Sequence, residues 1–272
     1  MNQKPKAPSG VEEILKEIDK ITMALDKKTR AAKMPFFPAQ EQMPQEGQGQ
    51  DGGGQGNSGT SGDKQGGTQG EEGGQSEQGP GGKGQNKETQ SGAQFQAETA
   101  GLIKIHESWN NLEPEAAKAG MSSASRDDFE QELDKLTTAI SEQKLDESLL
   151  SSIELYKKFS DLIQVFSLSL PPDYFQVKYE AMAAMARAAG QDWEQASAHM
   201  ASIKEPWDRL KVQAQKAGQE TIMKTDFAVT DLENAVNSNQ LSLVMIKGDI
   251  LMKNLKALEQ KLSQQGGGQG GQ

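Results

Sequence analysis

The sequence predicts an all-α protein, an internally duplicated antiparallel helical bundle of two three- to four-helix units. Its N-terminal helix is expected to be joined to the bundle by a long disordered Gly/Gln-rich linker. One stretch occurs twice, at residues 95–120 and 193–218, and both copies contain W-x-x-L-x-x-x-A-x-K-A-G. Elsewhere, large apolar residues recur at spacings of three and four, which is typical of amphipathic helices. These observations, with one long region almost free of apolar residues, predict the fold class.

The first predicted helix covers residues 10–34. Ser9 is a candidate N-cap, and Glu12 follows three residues later as in a capping box. Met34 precedes a proline, which should end the helix. We expect the helix to dock on the bundle, and the alternative is pairing with a partner or a second copy. The residues that would bind in either case form its apolar stripe: Val11, Leu15, Ile18 and Leu25.

Residues 35–93 are predicted to be a disordered linker. Between Phe37 and Phe95 there is no Val, Ile, Leu, Phe, Tyr or Trp. A segment with so little apolar surface cannot offset the entropy lost on ordering. We therefore expect it to be protease-sensitive, and we expect disordered tails at residues 1–9 and 264–272.

The predicted bundle covers residues 94–263. It contains repeat copies at 94–170 and 191–263, bridged by a helix at 172–190. An offset of 98 places Phe129 on Phe227, after which the offset becomes 96. The helix of the second copy that carries Phe227 is expected to begin at a Thr225-Asp226 cap. If helix 10–33 precedes the first copy as helix 173–189 precedes the second, the architecture is two four-helix units.

The repeated Trp109 and Trp207 allow two interpretations. As core anchors, they would set their helices against neighbouring ones. As exposed residues, they would form an aromatic platform for a partner. Pro114 and Pro206 should kink or restart the two repeated helices. Gly248 lies on the apolar stripe of the last helix, which predicts a close backbone contact there.

The composition excludes several classes of function. The chain has 272 residues, a net charge of −10 and no cysteine. The acidic balance argues against nucleic-acid binding, which requires a basic surface. The absence of cysteine excludes disulfides, thiolate zinc sites and iron–sulfur clusters. No apolar run approaches the roughly 18 residues of a membrane span.

Residues that could carry chemistry are few. His106 and His199 do not correspond in the two copies, so a duplicated metal site is not expected. Methionines near His199 would suit a haem ligand set, although methionine at helical spacing usually fills core gaps. The acidic pair Asp127-Asp128 favours a helix N-terminus over an acid–base pair. We predict no catalytic, metal-binding or cofactor-binding residues.

The layout is similar to that of tethered lipoproteins of Gram-positive bacteria. It combines a polar N-terminus, a low-complexity linker and a small helical domain, and Met1 would stand where such a protein has a lipidated cysteine. The resemblance implies an extracytoplasmic protein tethered to the membrane and transfers no site residue. We predict a non-catalytic binding or scaffolding protein, and the alternative location is the cytoplasm. The alternative functions are a metal- or haem-binding bundle, or a self-assembling protein that uses helix 10–33.

Overall fold

A computed structural model describes residues 4–34 and 95–266. These residues form nine α-helices and two short 3₁₀ turns, and they contain no β-strand. The helices are α1 (Ser9–Lys33), α2 (Gln96–Lys118), α3 (Ser123–Ser141), α4 (Leu145–Leu162), α5 (Pro172–Ala189), α6 (Trp193–Ser202), α7 (Lys204–Gln213), α8 (Gln219–Asn237) and α9 (Leu241–Gly266). The predicted linker at 35–93 lies outside the described residues. Of the predicted tail at 264–272, residues 264–266 belong to α9, and the rest lies outside the description.

The N-terminal unit consists of α1 to α4. Helix α1 packs against α2 and α4, and α3 packs against α2 and α4. The apolar stripe of α1 is buried in this unit: Val11, Ile14, Ile18, Ile21 and Leu25. Helix α1 therefore docks on its own chain, as expected, because its stripe completes a core that α2 to α4 leave open.

Helices α1 and α2 approach each other closely. A Cβ atom on Gly101 of α2 would lie 2.9 Å from Cγ1 of Ile21, so glycine permits this spacing. At one end of the pair, Lys28 contacts the buried Glu98 and lies over the ring of Phe95. The two described residues that flank the region 35–94 are therefore held at the same end of this unit.

The C-terminal unit consists of α5 to α9. Helix α5 packs against α6, α7 and α9, while α8 packs against α6 and α9. Helix α5 thus has the position here that α1 has in the first unit. This unit has five helices and not four, because the stretch that corresponds in sequence to α2 is divided into α6 and α7. The duplication of the chain stays a prediction.

The two units pack against each other through α4 and α5 and through charged contacts of α1. The guanidinium of Arg30 in α1 lies 2.6 Å from a carboxylate oxygen of Asp26 and 2.8 Å from one of Asp249 in α9. Burial raises the pKa of Asp26, and the charge of Arg30 opposes that effect. Asp19 of α1 forms a second ion pair, at 2.6 Å, with the largely buried Lys178 of α5.

The start of the chain differs from the prediction. Helix α1 begins at Ser9, with Pro8 at the N-cap and no side-chain cap, so the predicted capping box with Glu12 is wrong. The carbonyl of Pro5 accepts a hydrogen bond of 2.8 Å from the amide of Ser167. Residues 5–8 therefore lie against the bundle and do not belong to a disordered tail, because this backbone pairing holds them.

Two further helices begin before the residues that the sequence favoured for their N-termini, which were Asp127-Asp128 and Thr225-Asp226. Helix α3 is capped by Ser122, whose hydroxyl accepts from the amide of Ser125 at 3.1 Å. Helix α8 begins at Gln219, immediately after Gly218 with a φ of 97°, and not at a Thr225-Asp226 cap. Thr225 is buried inside the helix and donates to the carbonyl of Thr221.

The register of the repeat also needs correction. Phe129 is 0% exposed, whereas Phe227 is 65% exposed, so the two do not occupy the same position. The indole N–H of Trp109 donates to Glu130, and that of Trp207 donates to Asp226, which is 96 residues further along. The offset therefore changes before Phe129, and the buried Thr225 takes the equivalent position.

The two prolines of the repeat behave differently. Helix α2 continues through Pro114 to Lys118. In the second copy, the helix breaks at Ile203 and restarts as α7, with Pro206 in its first turn. A proline in a first turn removes no helical hydrogen bond. The predicted break is therefore confirmed in the second copy only.

Gly248 makes the close contact predicted for it. A Cβ atom here would lie 2.7 Å from Cε of Met185 in α5 and would also overlap its sulfur atom. We expect Gly248→Ala to destabilise the protein by about 1–2 kcal/mol, since overpacking a buried contact outweighs a gain of about 1 kcal/mol in helix propensity. Urea unfolding followed by circular dichroism measures the change. The double variant Gly248→Ala/Met185→Ala is the control, and failure of Met185→Ala to relieve the loss would contradict this explanation.

Candidate functional site

Exposed apolar side chains are concentrated on the C-terminal unit. Among the described residues, eight large apolar side chains are exposed, and six of them lie on α7, α8 and α9. We call these six the apolar face: Val212, Met223, Phe227, Leu243, Ile246 and Ile250. The other two, Met23 and Ile103, lie on α1 and α2.

The register of α8 and α9 places members of the apolar face side by side. Lys247 of α9 forms an ion pair of 2.6 Å with Asp231 of α8. Further along, the amide of Asn254 donates to the carbonyl of Lys224 at 3.0 Å. Halfway between these two contacts, Phe227 of α8 lies level with Ile250 of α9.

The apolar face continues onto α7. Asp226 of α8 contacts Trp207 at 2.7 Å and Lys211 at 3.1 Å, both on α7. Val212 of α7 follows Lys211 and is 67% exposed. Because Met223 and Phe227 are four residues apart, they lie on one side of α8. Members of the apolar face therefore lie on α7, α8 and α9.

Helix α9 carries two apolar stripes. The inner stripe contains Val244, Leu251, Leu255 and Leu258, all of them buried. The outer stripe contains Leu243, Ile246 and Ile250 at spacings of three and four, and each is about 40% exposed or more. A helix that packs against its own chain on one side needs a single apolar stripe. The second stripe is therefore not explained by the core of this chain.

The area of the apolar face is large for a single small unit. Taking roughly 150–200 Å² for each fully exposed large side chain, the six residues present about 500 Å² of apolar surface. Patches of about 300–600 Å² are the largest on typical monomers and are often functional. The size of the face makes it the candidate functional site.

The helices that form the face differ in charge. Helix α8 has four carboxylates, Glu220, Asp226, Asp231 and Glu233, and a single lysine. Helix α9 has four lysines, Lys247, Lys253, Lys256 and Lys261, and two carboxylates. The indole hydrogen bond from Trp207, aided by Lys211, lowers the pKa of Asp226 and keeps it ionised. Each of the four carboxylates of α8 is paired with a lysine of the same chain: Glu220 with Lys224, Asp226 with Lys211, Asp231 with Lys247 and Glu233 with Lys204.

The residues proposed from sequence as partner-binding are inside the bundle. Trp109 and Trp207 are 5% and 3% exposed, which corresponds to the core-anchor interpretation and not to an exposed platform. Val11, Ile18 and Leu25 are buried against α2 and α4, and Leu15 is partly buried. In this structure, five of these six side chains are buried, and Leu15 is partly exposed.

Sequence reasoning missed the apolar face because it aligned Phe227 with Phe129, which is buried. The signal that could have revealed the face was the spacing of Leu243, Ile246 and Ile250 beside an already complete stripe. Two apolar stripes on one terminal helix indicate a second contact surface.

The histidines make structural contacts. Nδ1 of His199 lies 2.7 Å from a carboxylate oxygen of Glu180, and its ring packs edge-on against Tyr179. The Tyr179 hydroxyl donates to Glu154 at 2.9 Å, and partial burial raises the pKa of that phenol. His106 contacts the hydroxyl of Thr137 at 3.1 Å. Within residues 4–34 and 95–266, no three His, Asp or Glu side chains converge to hold a metal ion.

Comparison with known proteins does not extend these observations. No protein-family model, curated protein or solved structure matches the chain. Among the helices that the structure describes, none has the length and apolar character needed to cross a membrane. The geometry and chemistry of the apolar face are therefore the basis for a functional proposal.

Proposed function

We propose that this chain is a non-catalytic binding or scaffolding protein that docks a protein partner on the apolar face. The observation that carries the proposal is the concentration of six of the eight exposed large apolar side chains of the described residues on α7, α8 and α9. Burying such a face releases water from about 500 Å² of apolar surface, which is the main driving force for protein association. A protein partner with its own apolar helix face supplies the matching surface.

The spacing of the exposed side chains supports a helical partner. Met223 and Phe227 of α8, and Leu243, Ile246 and Ile250 of α9, recur every three or four residues along two neighbouring helices. A partner helix binds such a surface through apolar residues at positions i, i+3, i+4 and i+7. The neighbouring charges of both signs, such as Asp231 and Lys247, would orient the partner.

We further propose that the protein is a mature bacterial lipoprotein located outside the cytoplasm. Support comes from the polar N-terminus and the Gly/Gln-rich composition of residues 35–93. Mass spectrometry of the native N-terminus should find a lipid-modified cysteine at the position that Met1 occupies in this sequence. An unmodified protein in the cytosolic fraction would contradict this part of the proposal.

Site-specific photo-crosslinking tests the binding function. p-Benzoylphenylalanine at Phe227 should give a discrete adduct in the producing cells, because the side chain lies in the proposed interface. The same probe at Ile103 is the matched control, since that residue is 55% exposed on the other unit. Equal adducts from both positions, or none from either, would contradict the proposal. The mass of the adduct identifies the kind of partner.

A further inference from the structure

We infer that the chain supplies an occupant for the α9 part of its own apolar face. Phe36 and Phe37, which follow α1 directly and lie outside the described residues, dock on Leu243 and Ile246 of α9. This inference rests on the proposed function, because it names a competitor for the partner at the same face. A partner that binds both α8 and α9 has to displace the two phenylalanines.

The end of α1 is held next to α9. The guanidinium of Arg30 donates to the carbonyl of Met245 at 3.3 Å and forms an ion pair of 2.8 Å with Asp249. Four residues later, Met34 leaves the helical conformation with a φ of −134°. The segment that follows α1 therefore starts beside α9.

The exposed stripe of α9 lies between α1 and α8. Successive residues of an α-helix are about 100° apart around its axis, so Ile246 lies about 100° from Met245, which contacts Arg30. Lys247, which pairs with α8, lies about 100° further in the same direction. Gly248, which contacts α5, is nearly opposite Ile246. The chain that leaves α1 along the outside of the bundle therefore meets the exposed stripe first.

The directions of the helices select the members of the stripe that are nearest. Helix α1 runs parallel to α5, as two contacts show: Asp19 with Lys178, and Lys33 with Ala189. Helix α9 runs antiparallel to α5, as two others show: Gly248 with Met185, and Glu259 with Tyr174. Helices α1 and α9 are therefore antiparallel, and the chain beyond Arg30 continues toward the start of α9, where Leu243 and Ile246 lie.

The two phenylalanines can reach this surface. They are two and three residues beyond Met34, so an extended chain carries them about 7 and 10 Å from it. Leu243 is 39% exposed and Ile246 is 46% exposed. Burial of an aromatic ring against such side chains is a large favourable contribution to docking.

The sequence around the two phenylalanines also favours docking. After Phe37, the next Val, Ile, Leu, Phe, Tyr or Trp is Phe95. Pro35 and Pro38 flank the aromatic pair. Each proline fixes its own φ and restricts the residue before it to extended conformations, so less conformational entropy is lost on docking. The apolar residues of this segment are thus concentrated in a stiffened stretch beside α9.

Cysteine labelling tests the contact in the full chain. The chain contains no cysteine, so Ile246→Cys can be labelled without background. Replacement of Phe36 and Phe37 by serine should raise its rate of reaction with a maleimide at least about fivefold, because the covering side chains are removed. Ile103→Cys is the matched control, since Ile103 is 55% exposed on α2, and its rate should not change. Equal rates at position 246 with and without the phenylalanines would overturn the inference.

Disulfide formation tests which surface the segment contacts. Under mild oxidation, Phe37→Cys should form an internal disulfide with Ile246→Cys in preference to Glu147→Cys. Glu147 is an exposed residue of α4 and follows Asp146, which pairs with Lys33 at 2.8 Å, so it also lies near the end of α1. A segment without a fixed contact would react with both cysteines, and equal yields would overturn the inference.

The photo-crosslinking experiment separates this inference from the proposed function. The yield of the partner adduct at Phe227 should rise when Phe36 and Phe37 are replaced by serine, and an unchanged yield would overturn the competition. A partner adduct at Phe227 with no protection of position 246 would overturn this inference and retain the binding function. Protection of position 246 without a partner adduct would retain the contact and overturn the proposed function.

Discussion

Removal of residues 1–34 is expected to unfold the N-terminal unit while the C-terminal unit stays folded. The truncated chain loses five aliphatic side chains of α1 that are almost completely buried. At about 2 kcal/mol for each buried side chain, the loss is about 10 kcal/mol, which is comparable to the whole stability of a typical domain. Circular dichroism should show a loss of helix well beyond that of α1 itself. A truncated chain with undiminished helicity in α2 to α4 would contradict the docking of α1.

A single substitution gives a milder version of this experiment with a control on the same helix. Ile18→Ala should lower the free energy of unfolding by about 2–5 kcal/mol, since the side chain is buried and leaves a cavity. Met23→Ala should change it by less than about 0.5 kcal/mol, because Met23 is 57% exposed. Chemical denaturation of both variants measures the difference. Similar effects at the two positions would mean that α1 does not dock in solution.

Trp109→Ala and Trp207→Ala should each lower the free energy of unfolding by about 3–5 kcal/mol. Both indoles are buried, and Trp109 also packs on Phe129 with ring centroids 4.6 Å apart. Urea unfolding should show a lower midpoint for each variant. The partly buried Trp193 is the control, and its replacement by alanine should have a smaller effect.

Replacement by phenylalanine separates the indole hydrogen bond from packing. Each N–H donates to a carboxylate, at 2.9 Å to Glu130 and at 2.7 Å to Asp226. Trp109→Phe and Trp207→Phe should therefore cost about 1.5–3 kcal/mol from the lost bond to a charged acceptor, less than the alanine variants. If phenylalanine and alanine were equivalent at either position, packing of the ring would not be the main contribution.

The fold class and the core of the repeat could be predicted from the sequence because they depend on local patterns. The spacing of apolar residues placed the helices, and the repeated Trp and Leu pointed inward as expected. The helix predicted at 172–190 is α5 (Pro172–Ala189), and proline suits the first position of a helix because no N–H is needed there. Gly248 showed that even one interhelical contact could be inferred from a glycine on an apolar stripe.

The candidate site could not be predicted, because exposure depends on contacts between helices distant in sequence. Phe129 and Phe227 have similar neighbours in sequence, yet one is in the core and the other is on the surface. The offset between the two copies changes from 98 to 96 before Phe129, so Phe129 corresponds to Thr225 and not to Phe227. Only the contacts of Trp109 and Trp207 reveal this change. The sequence likewise did not fix the position of α1. Sixty-one residues lie between Lys33, the last residue of α1, and Phe95, which precedes α2.

The pairing of Lys28 with Glu98 and Phe95 has a consequence for how this protein can vary in length. Helices α1 and α2 hold the two ends of the connecting segment at the same end of the N-terminal unit. The fold of that unit therefore does not depend on the number of residues that connect α1 to α2. Doubling that length would cost only about 0.6 kcal/mol in loop-closure entropy. The connection between α1 and α2 is thus a natural position for inserting a whole folded domain or an affinity tag.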